Sequence, residues 1–273
     1  MFLITYGDPV PVSMAQLCAD LTAETAVLES LVEPLDADGW LTPTPAEGWA
    51  VLDQVGHLAY FDEAATLAAT DPDRFRAERE VAFADPAGLT ETAAARYRAL
   101  AGEEVLKEFR SARAALLDVF RTIDPARRVP WYGPDMAAAS SATARIMETW
   151  AHGQDVVDAL GVTRPQTGAL RHVAHIGVRA FPNSFLANGL DVPEAAVFVE
   201  LVGPDGDTWT WGPPDAADVV RGPALDFCLV VTRRRHVDDT TLTVTGPVAQ
   251  SWMPIAQAFA GPPGTGRKPG QFS

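Results

Sequence analysis

Residues 42–64 read TPTPAEGWAVLDQVGHLAYFDEA and combine a Pro- and Gly-rich start with the periodicity of a helix. After Trp49, apolar residues recur three and four positions apart, as on one helix face: Val51, Leu52, Val55, Leu58, Ala59 and Phe61. A single imidazole, His57, lies on this face. Taken alone, it is most simply a core histidine hydrogen-bonded to a carbonyl oxygen.

The sequence around this stretch is helical as far as about residue 160. A leucine stripe marks a first helix, residues 89–124 are rich in Ala, Leu, Glu and Arg with a break at Gly102, and residues 137–161 form a helix that stops at Gly161. We find no strand pattern here and expect no strand before residue 160. Four long helices joined by loops predict a bundle over residues 12–161.

The sequence pattern changes after residue 161 from purely helical to mixed helix and strand. One helix is predicted over residues 169–189, and two β-rich runs flank a turn at residues 204–207, which indicates a hairpin. Two strand-to-helix patterns follow, the first of them turning at Gly222 and Pro223. We therefore predict two domains, a helical bundle over residues 1–164 and a smaller α/β domain over residues 165–273.

Composition narrows the class of protein. The chain has 273 residues, 47% of them hydrophobic, and a formal charge of −15, which disfavours binding to nucleic acid. Only Cys18 and Cys228 are present, too few for a disulfide framework or a cysteine-based zinc ribbon. The first ten residues lack the basic flank of a signal peptide, and no apolar run approaches the roughly 20 residues of a membrane span. We expect a cytoplasmic protein without membrane contact.

A second stretch, METWAHGQD at residues 147–155, changes the interpretation of His57. Glu148 and His152 are four residues apart, so they project from one helix face a single turn apart. With His57 from a facing helix they make a set of two histidines and one carboxylate. Such a set suits zinc with one open position, and ferrous iron or nickel could also use it. The alternative is an ordinary Glu/His pair on a solvated helix face.

Together these motifs resemble the mycothiol-dependent maleylpyruvate isomerase family. The T-P-x-x-x-W segment leading to G-H-L-A and the E-x-x-x-H-x-x-D motif both occur, as Thr44, Pro45, Trp49, Gly56, His57, Leu58, Ala59, Glu148, His152 and Asp155. The resemblance covers nearly the whole chain. It implies a DinB-like, metal-binding four-helix bundle followed by a smaller α/β domain. It also implies that His57, Glu148 and His152 hold a divalent metal, for which we favour zinc.

The resemblance further implies an arginine of the second domain near the metal. In VVTRRRH it maps onto Arg234, and less well onto Arg233, where many relatives have glycine. We predict that Arg234 is catalytic and binds a substrate carboxylate through its guanidinium fork. The alternative is that Arg233, Arg234 and Arg235 are surface charges at the end of a helix.

Other residues carry weaker hypotheses. Asp155 could orient a ligand imidazole or be a simple helix charge, and Asp53 could do the same or stabilise the first turn of its helix. Both cysteines lie in apolar helical patterns and are expected to be buried thiols. Several further residues could line a ligand cleft but are more simply packing or surface residues: Trp131, Tyr132, His172, His175, Arg179, Trp209, Trp211 and Trp252.

In the family, the thiol mycothiol binds the metal, and relatives use it to isomerise a substrate or transfer it to one. We therefore predict a divalent-metal-dependent isomerase or S-transferase that acts on a small electrophilic metabolite with mycothiol as thiol cosubstrate. One alternative is a thiol-independent metal enzyme that hydrolyses, cyclises or rearranges a small metabolite. The other is a non-catalytic metal- or ligand-binding protein. The sequence is compatible with a homodimer.

Overall fold

The computed structural model describes residues 12–83, 94–261 and 263–272. The chain forms two compact units, Ser13–Pro165 and a second unit that includes Gln166–Ser273. In the predicted helical stretch at residues 89–124, residues 89–93 lie outside the described residues. Among the described residues, no helix is both long and apolar enough to cross a membrane.

The first unit is helical, as the sequence predicts. Its helices are α1 (Met14–Val32), α2 (Ala37–Trp40), α3 (Val51–Thr70), α4 (Pro72–Phe83), α5 (Gly102–Phe120) and α6 (Ala138–Leu160). Helix α3 packs against α5 and α6, and α1 packs against α6. The four long helices α1, α3, α5 and α6 thus form the expected bundle. Gly161 adopts a left-handed conformation with φ 64° and ends α6, also as expected.

Close packing of α3 depends on a glycine beside the candidate site. Gly56 lies on α3, and a Cβ built on it would come within 2.8 Å of the Cβ of Tyr97, a fully buried residue. A larger residue at this position would push the two segments apart. Gly56 therefore fixes the position of the helix turn that carries His57.

A buried ionic network ties three bundle helices together. Asp62 on α3 is fully buried and accepts from Arg113 Nε on α5 at 2.6 Å and from Arg145 Nε on α6 at 2.9 Å. Arg113 also donates to the hydroxyl of Thr149 at 2.9 Å. Because both carboxylate oxygens are used, the network sets the rotation of α3 relative to α6. Asp62 and Arg145 lie within a few residues of the candidate metal ligands, so the network holds together the helix segments that carry these ligands.

The expectation of no strand before residue 160 is wrong in one place. Between α5 and α6, β1 (Arg128–Val129) pairs antiparallel with β2 (Met136–Ala137). Each strand has only two residues, so no alternating pattern can be read from the sequence. The ladder forms because the intervening residues, which include two prolines and a glycine, turn the chain back on itself. It is held by a hydrogen bond from Ala138 N to Arg127 O of 2.9 Å and by the Arg128 guanidinium on the Asp135 carbonyl.

The second unit is a small mixed sheet with helices, in agreement with the predicted α/β domain. It contains α7 (Ala169–Arg179), α8 (Phe181–Ala187), β3 (Val197–Val202), β4 (Thr208–Trp211), β5 (Asp218–Pro223), α9 (Ala224–Val231), β6 (Thr243–Thr245) and α10 (Pro247–Trp252). The sheet order is β4-β3-β5-β6. Strands β3 and β5 are parallel, whereas β3–β4 and β5–β6 are antiparallel. The predicted hairpin and both strand-to-helix units are confirmed.

The single helix predicted over residues 169–189 is wrong, because it is two helices. Helix α7 ends at Arg179 and α8 begins at Phe181, with Ala180 at φ −81° and ψ 1° between them. Pro182 is the second residue of α8. It has no N–H group, so it cannot continue the hydrogen-bond ladder of α7, but proline is tolerated in the first turn of a new helix.

Candidate metal centre

Helices α3 and α6 bring the three predicted ligands together. Glu148 Oε2 lies 3.1 Å from His152 Nε2 on the same helix and 3.6 Å from His57 Nε2 on the facing helix. One donor atom from each of the three residues falls within 4.8 Å of the other two. The helical repeat places Glu148 and His152 on one face of α6, because they are four residues apart. His57 lies on the face of α3 that packs towards them.

The spacing of these donors fits a small divalent cation. Tetrahedral coordination at about 2.0–2.1 Å puts neighbouring donor atoms about 3.3 Å apart, and the two measured separations lie on either side of that value. The side chains of His57, Glu148 and His152 are 16, 23 and 11% exposed. The three side chains are therefore only partly enclosed by the protein.

The protonation states also suit a cation. Burial, followed by the neighbouring His152, lowers the pKa of His57 to about 4, so this imidazole is neutral at pH 7. Burial opposes ionisation of Glu148, but its interactions with His152 and His57 hold the pKa of this carboxyl well below its ordinary value. A neutral imidazole beside a carboxylate is the form that binds a divalent metal without first releasing a proton.

Gln54 orients His152, a role that was not predicted from the sequence. Its Oε1 lies 2.5 Å from Nδ1 of His152, and its Nε2 donates to the hydroxyl of Thr44 at 2.9 Å. That hydroxyl donates in turn to the carbonyl of Trp49 at 2.9 Å, which fixes the direction of the amide. Because a carbonyl oxygen only accepts, Nδ1 carries a proton, and Nε2 is the nitrogen that would face a metal. A signal was available, since Gln54 lies one helical turn before His57.

The two aspartates considered from the sequence have different surroundings. Asp53 accepts from Ala50 N at 2.8 Å and from Arg98 Nε at 2.6 Å, so it closes the first turn of α3 rather than orienting His57. Asp155 is buried on α6, but the hydrogen bond at Nδ1 of His152 runs to Gln54. The contact at Nδ1 of His152 is thus made by an amide of the facing helix.

Aromatic rings surround the donors. The ring centroids of Phe61 and Trp49 lie 4.5 and 5.4 Å from that of His57. Trp131 and Tyr132, on the loop between β1 and β2, lie 6.1 and 5.7 Å from Phe61. Burial, followed by neighbouring Tyr60, raises the pKa of Tyr132, so its hydroxyl stays protonated. These rings form an apolar border around a charged centre and can hold the organic part of a ligand.

The remaining candidates belong to other elements of the fold. Arg234 follows α9 in the second unit, where its guanidinium donates to the carbonyl of Thr232 at 2.7 Å. Its approach to a substrate stays a prediction. Arg233 before it has φ 62°, and it is the only non-glycine residue with positive φ among the described residues. Cys18 and Cys228 are both buried thiols, as predicted. Trp209, Trp211 and Trp252 are buried in the second unit, which agrees with packing roles.

Comparison with known families gives two matches. A family model described as the mycothiol maleylpyruvate isomerase N-terminal domain matches residues 21–157. This range includes all three candidate metal ligands as well as Gln54. A second model, described as wyosine base formation, matches residues 193–245, which span the sheet and α9 of the second unit.

Two uncharacterized proteins from two strains of Mycobacterium tuberculosis are similar over almost the whole chain. Each is 49% identical over 261 residues, which cover 96% of this chain and 100% of the relative. Among solved structures, a crystal structure of a mutant of the mycothiol-dependent maleylpyruvate isomerase gives a TM-score of 0.60 at 15% identity, covering 85% of this chain and 93% of the other. A second crystal structure of that isomerase gives 0.57 at 14%, covering 82 and 90%. These similarities show a shared fold.

Proposed function

The chain belongs to the mycothiol maleylpyruvate isomerase family, and we propose that it is a metal-dependent enzyme using mycothiol as a thiol cosubstrate. It would isomerise a small electrophilic metabolite or transfer the thiol to it. The observation that carries this proposal is the convergence of His57, Glu148 and His152 on one partly exposed point. The sequence-based resemblance to the family is confirmed by the match over residues 21–157.

In this proposal, His57, Glu148 and His152 hold one divalent cation, with zinc as the favoured ion. A cation of this kind lowers the pKa of a coordinated thiol and so keeps a thiolate available at neutral pH. The carboxylate of Glu148 offsets part of the positive charge. Gln54 keeps Nδ1 of His152 protonated and directs Nε2 towards the centre. The protein's contribution is therefore a set of donors whose orientation and protonation are fixed before ligand arrives.

The aromatic residues near the centre support the proposed class of substrate. The rings of Trp49 and Phe61 lie beside His57, and Trp131 and Tyr132 extend this aromatic surface from Phe61. Such a surface suits a small organic molecule. The aromatic border itself supplies no cation for an acidic substrate. We assign that role to Arg234, whose planar guanidinium can pair with a carboxylate through two parallel hydrogen bonds.

The test is turnover with mycothiol and a panel of small electrophiles, followed by mass spectrometry of isomerised products and thiol adducts. We expect a product with the metal-loaded protein and none after chelation, with recovery when zinc is restored. Turnover that is the same without mycothiol would favour a thiol-independent metal enzyme. Full metal content without turnover of any electrophile would favour a binding protein.

A further inference from the structure

The second unit contains a basic cavity that the proposed function does not use. It has a volume of about 260 Å³ and lies between the turn after α9 and the C-terminal segment at residues 263–272. Five basic side chains line it: Arg233, Arg235, His236, Arg267 and Lys268. None of the described residues that line it is acidic. In a chain with a formal charge of −15, such a concentration of cations is not explained by composition.

The backbone at Arg233 is strained for a residue with a side chain. Its φ of 62° lies in the left-handed region, where a Cβ comes too close to the following carbonyl oxygen. Glycine at this position would avoid the conflict. The conformation ends α9, because the N–H of Arg234 donates to the carbonyl of Leu229 at 2.8 Å across this turn. Arg233 therefore occupies a helix-end position that usually holds glycine.

The guanidinium of Arg233 is held in place without a complete set of partners. Its Nε is buried and has no hydrogen-bond partner among the described residues. Burial lowers the pKa of this group. A Cβ built on Gly266 would lie 2.5 Å from Nη2 of Arg233, so the backbone of the C-terminal segment lies directly against the guanidinium. Burial therefore costs the guanidinium part of its hydration, and no hydrogen bond within the described residues offsets this cost at Nε.

The C-terminal segment is attached over this cavity by specific contacts. Asp239 Oδ1 accepts from Gly270 N at 2.6 Å, and the ring of Phe272 lies 4.2 Å from the guanidinium carbon of Arg235. Both contacts hold the segment that carries Arg267 and Lys268 against the turn that carries Arg233. The basic groups from two distant parts of the sequence are thus brought together by the fold.

We propose that this cavity binds a phosphate group, either as free phosphate or as part of a small phosphorylated metabolite. Arginine forks match the oxygens of phosphate, and the buried Nε of Arg233 is a donor that has no hydrogen-bond partner among the described residues. The side chain of Arg233 directs its Nε to the oxyanion, and the cations of the C-terminal segment complete the charge. The site uses residues of the second unit only and does not depend on a metal.

The test is calorimetric titration with inorganic phosphate at constant ionic strength. We expect Arg233→Gly to weaken binding about tenfold or more, because it removes a charged hydrogen-bond partner. The same variant should raise the melting temperature, because glycine removes the strain and the buried Nε. Arg267→Gln should weaken binding while leaving the backbone at residue 233 unchanged. As a matched control we use Arg221→Gln, since Arg221 is half-exposed and pairs with Glu200 on the sheet.

Three results would overturn the proposal. The first is phosphate binding that is unchanged in Arg233→Gly. The second is an equal loss in Arg221→Gln, which would indicate general attraction to surface charge. The third is acetate binding as tightly as phosphate, which would indicate a carboxylate site. Because no readout depends on metal or turnover, failure here leaves the proposed enzyme function standing, and the reverse also holds.

Discussion

Replacing Gln54 by leucine should weaken metal binding without removing a metal ligand. Gln54 is fully buried, and leucine fills a similar volume but offers no acceptor to Nδ1 of His152. The imidazole is then free to change tautomer, and the hydroxyl of Thr44 loses the amide that donates to it. Loss of such an outer hydrogen bond typically costs about 10–100-fold in metal affinity, or about 1.4–2.8 kcal/mol.

The metal-free protein should also become less stable. A buried polar group left without a partner costs about 1–3 kcal/mol of unfolding free energy, and Gln54→Leu removes the acceptor from Nδ1 of His152. The assay is zinc affinity by competition with a chromogenic chelator, together with denaturant unfolding of the chelated protein. Nitrogen NMR of the imidazole would show directly whether the protonated Nδ1 form of His152 is lost.

Gln154→Leu is the matched control for this prediction. Gln154 is also a buried glutamine, lies two residues after His152, and donates to Asp158 at 2.9 Å instead of contacting a histidine. Its replacement should leave zinc affinity unchanged. Gln54→Glu, which keeps an acceptor, should restore most of the affinity. If Gln54→Leu binds zinc as tightly as the unmodified protein and keeps the same imidazole tautomer, the reasoning about Gln54 is refuted.

Three other predictions follow from the same structure. Arg234→Ala should keep fold and metal but slow turnover about a hundredfold, with partial recovery in Arg234→Lys, and unchanged rates in both would exclude the role assigned to it. The pKa of His57 is lowered to about 4, so the unfolded chain binds a proton at a higher pH than the folded one. The unfolding free energy of the chelated protein should therefore fall by about 3 kcal/mol as pH drops from about 6.5 to 4, and His57→Gln should lack this component in pH-dependent unfolding. Asp62→Asn should cost about 3–5 kcal/mol in denaturant unfolding because it leaves two guanidiniums buried beside an uncharged amide, and a loss below about 1 kcal/mol would show that the network is not important for stability.

The sequence predicts most of what depends on local spacing. The apolar periodicity around His57 and the four-residue separation of Glu148 and His152 gave the bundle and the face on which the ligands meet. Helix ends were also readable where a residue has a special conformation, as at Gly161. These features are properties of a single helix, so a single segment carries enough information.

Features that depend on contacts between distant segments were not predictable. Gln54 acquires its role only when α6 places His152 against it, and the sequence analysis had considered Asp155 for that role instead. Asp62 forms ion pairs with Arg113 and Arg145 from two other helices, and no spacing in the sequence predicts these pairs. The two-residue strands around the loop before α6 are too short to show a pattern.

Elemental analysis of bound metal tests whether His57 and His152 are metal ligands. The purified protein should contain about one divalent ion per chain by elemental analysis, and His57→Ala and His152→Ala should each lose it while keeping the helical circular dichroism of the bundle. His236→Ala, a histidine of the second unit that contacts Asp238, is the control and should retain the ion. Full metal occupancy in both His57→Ala and His152→Ala would contradict the account, because it would show that these histidines do not hold the metal.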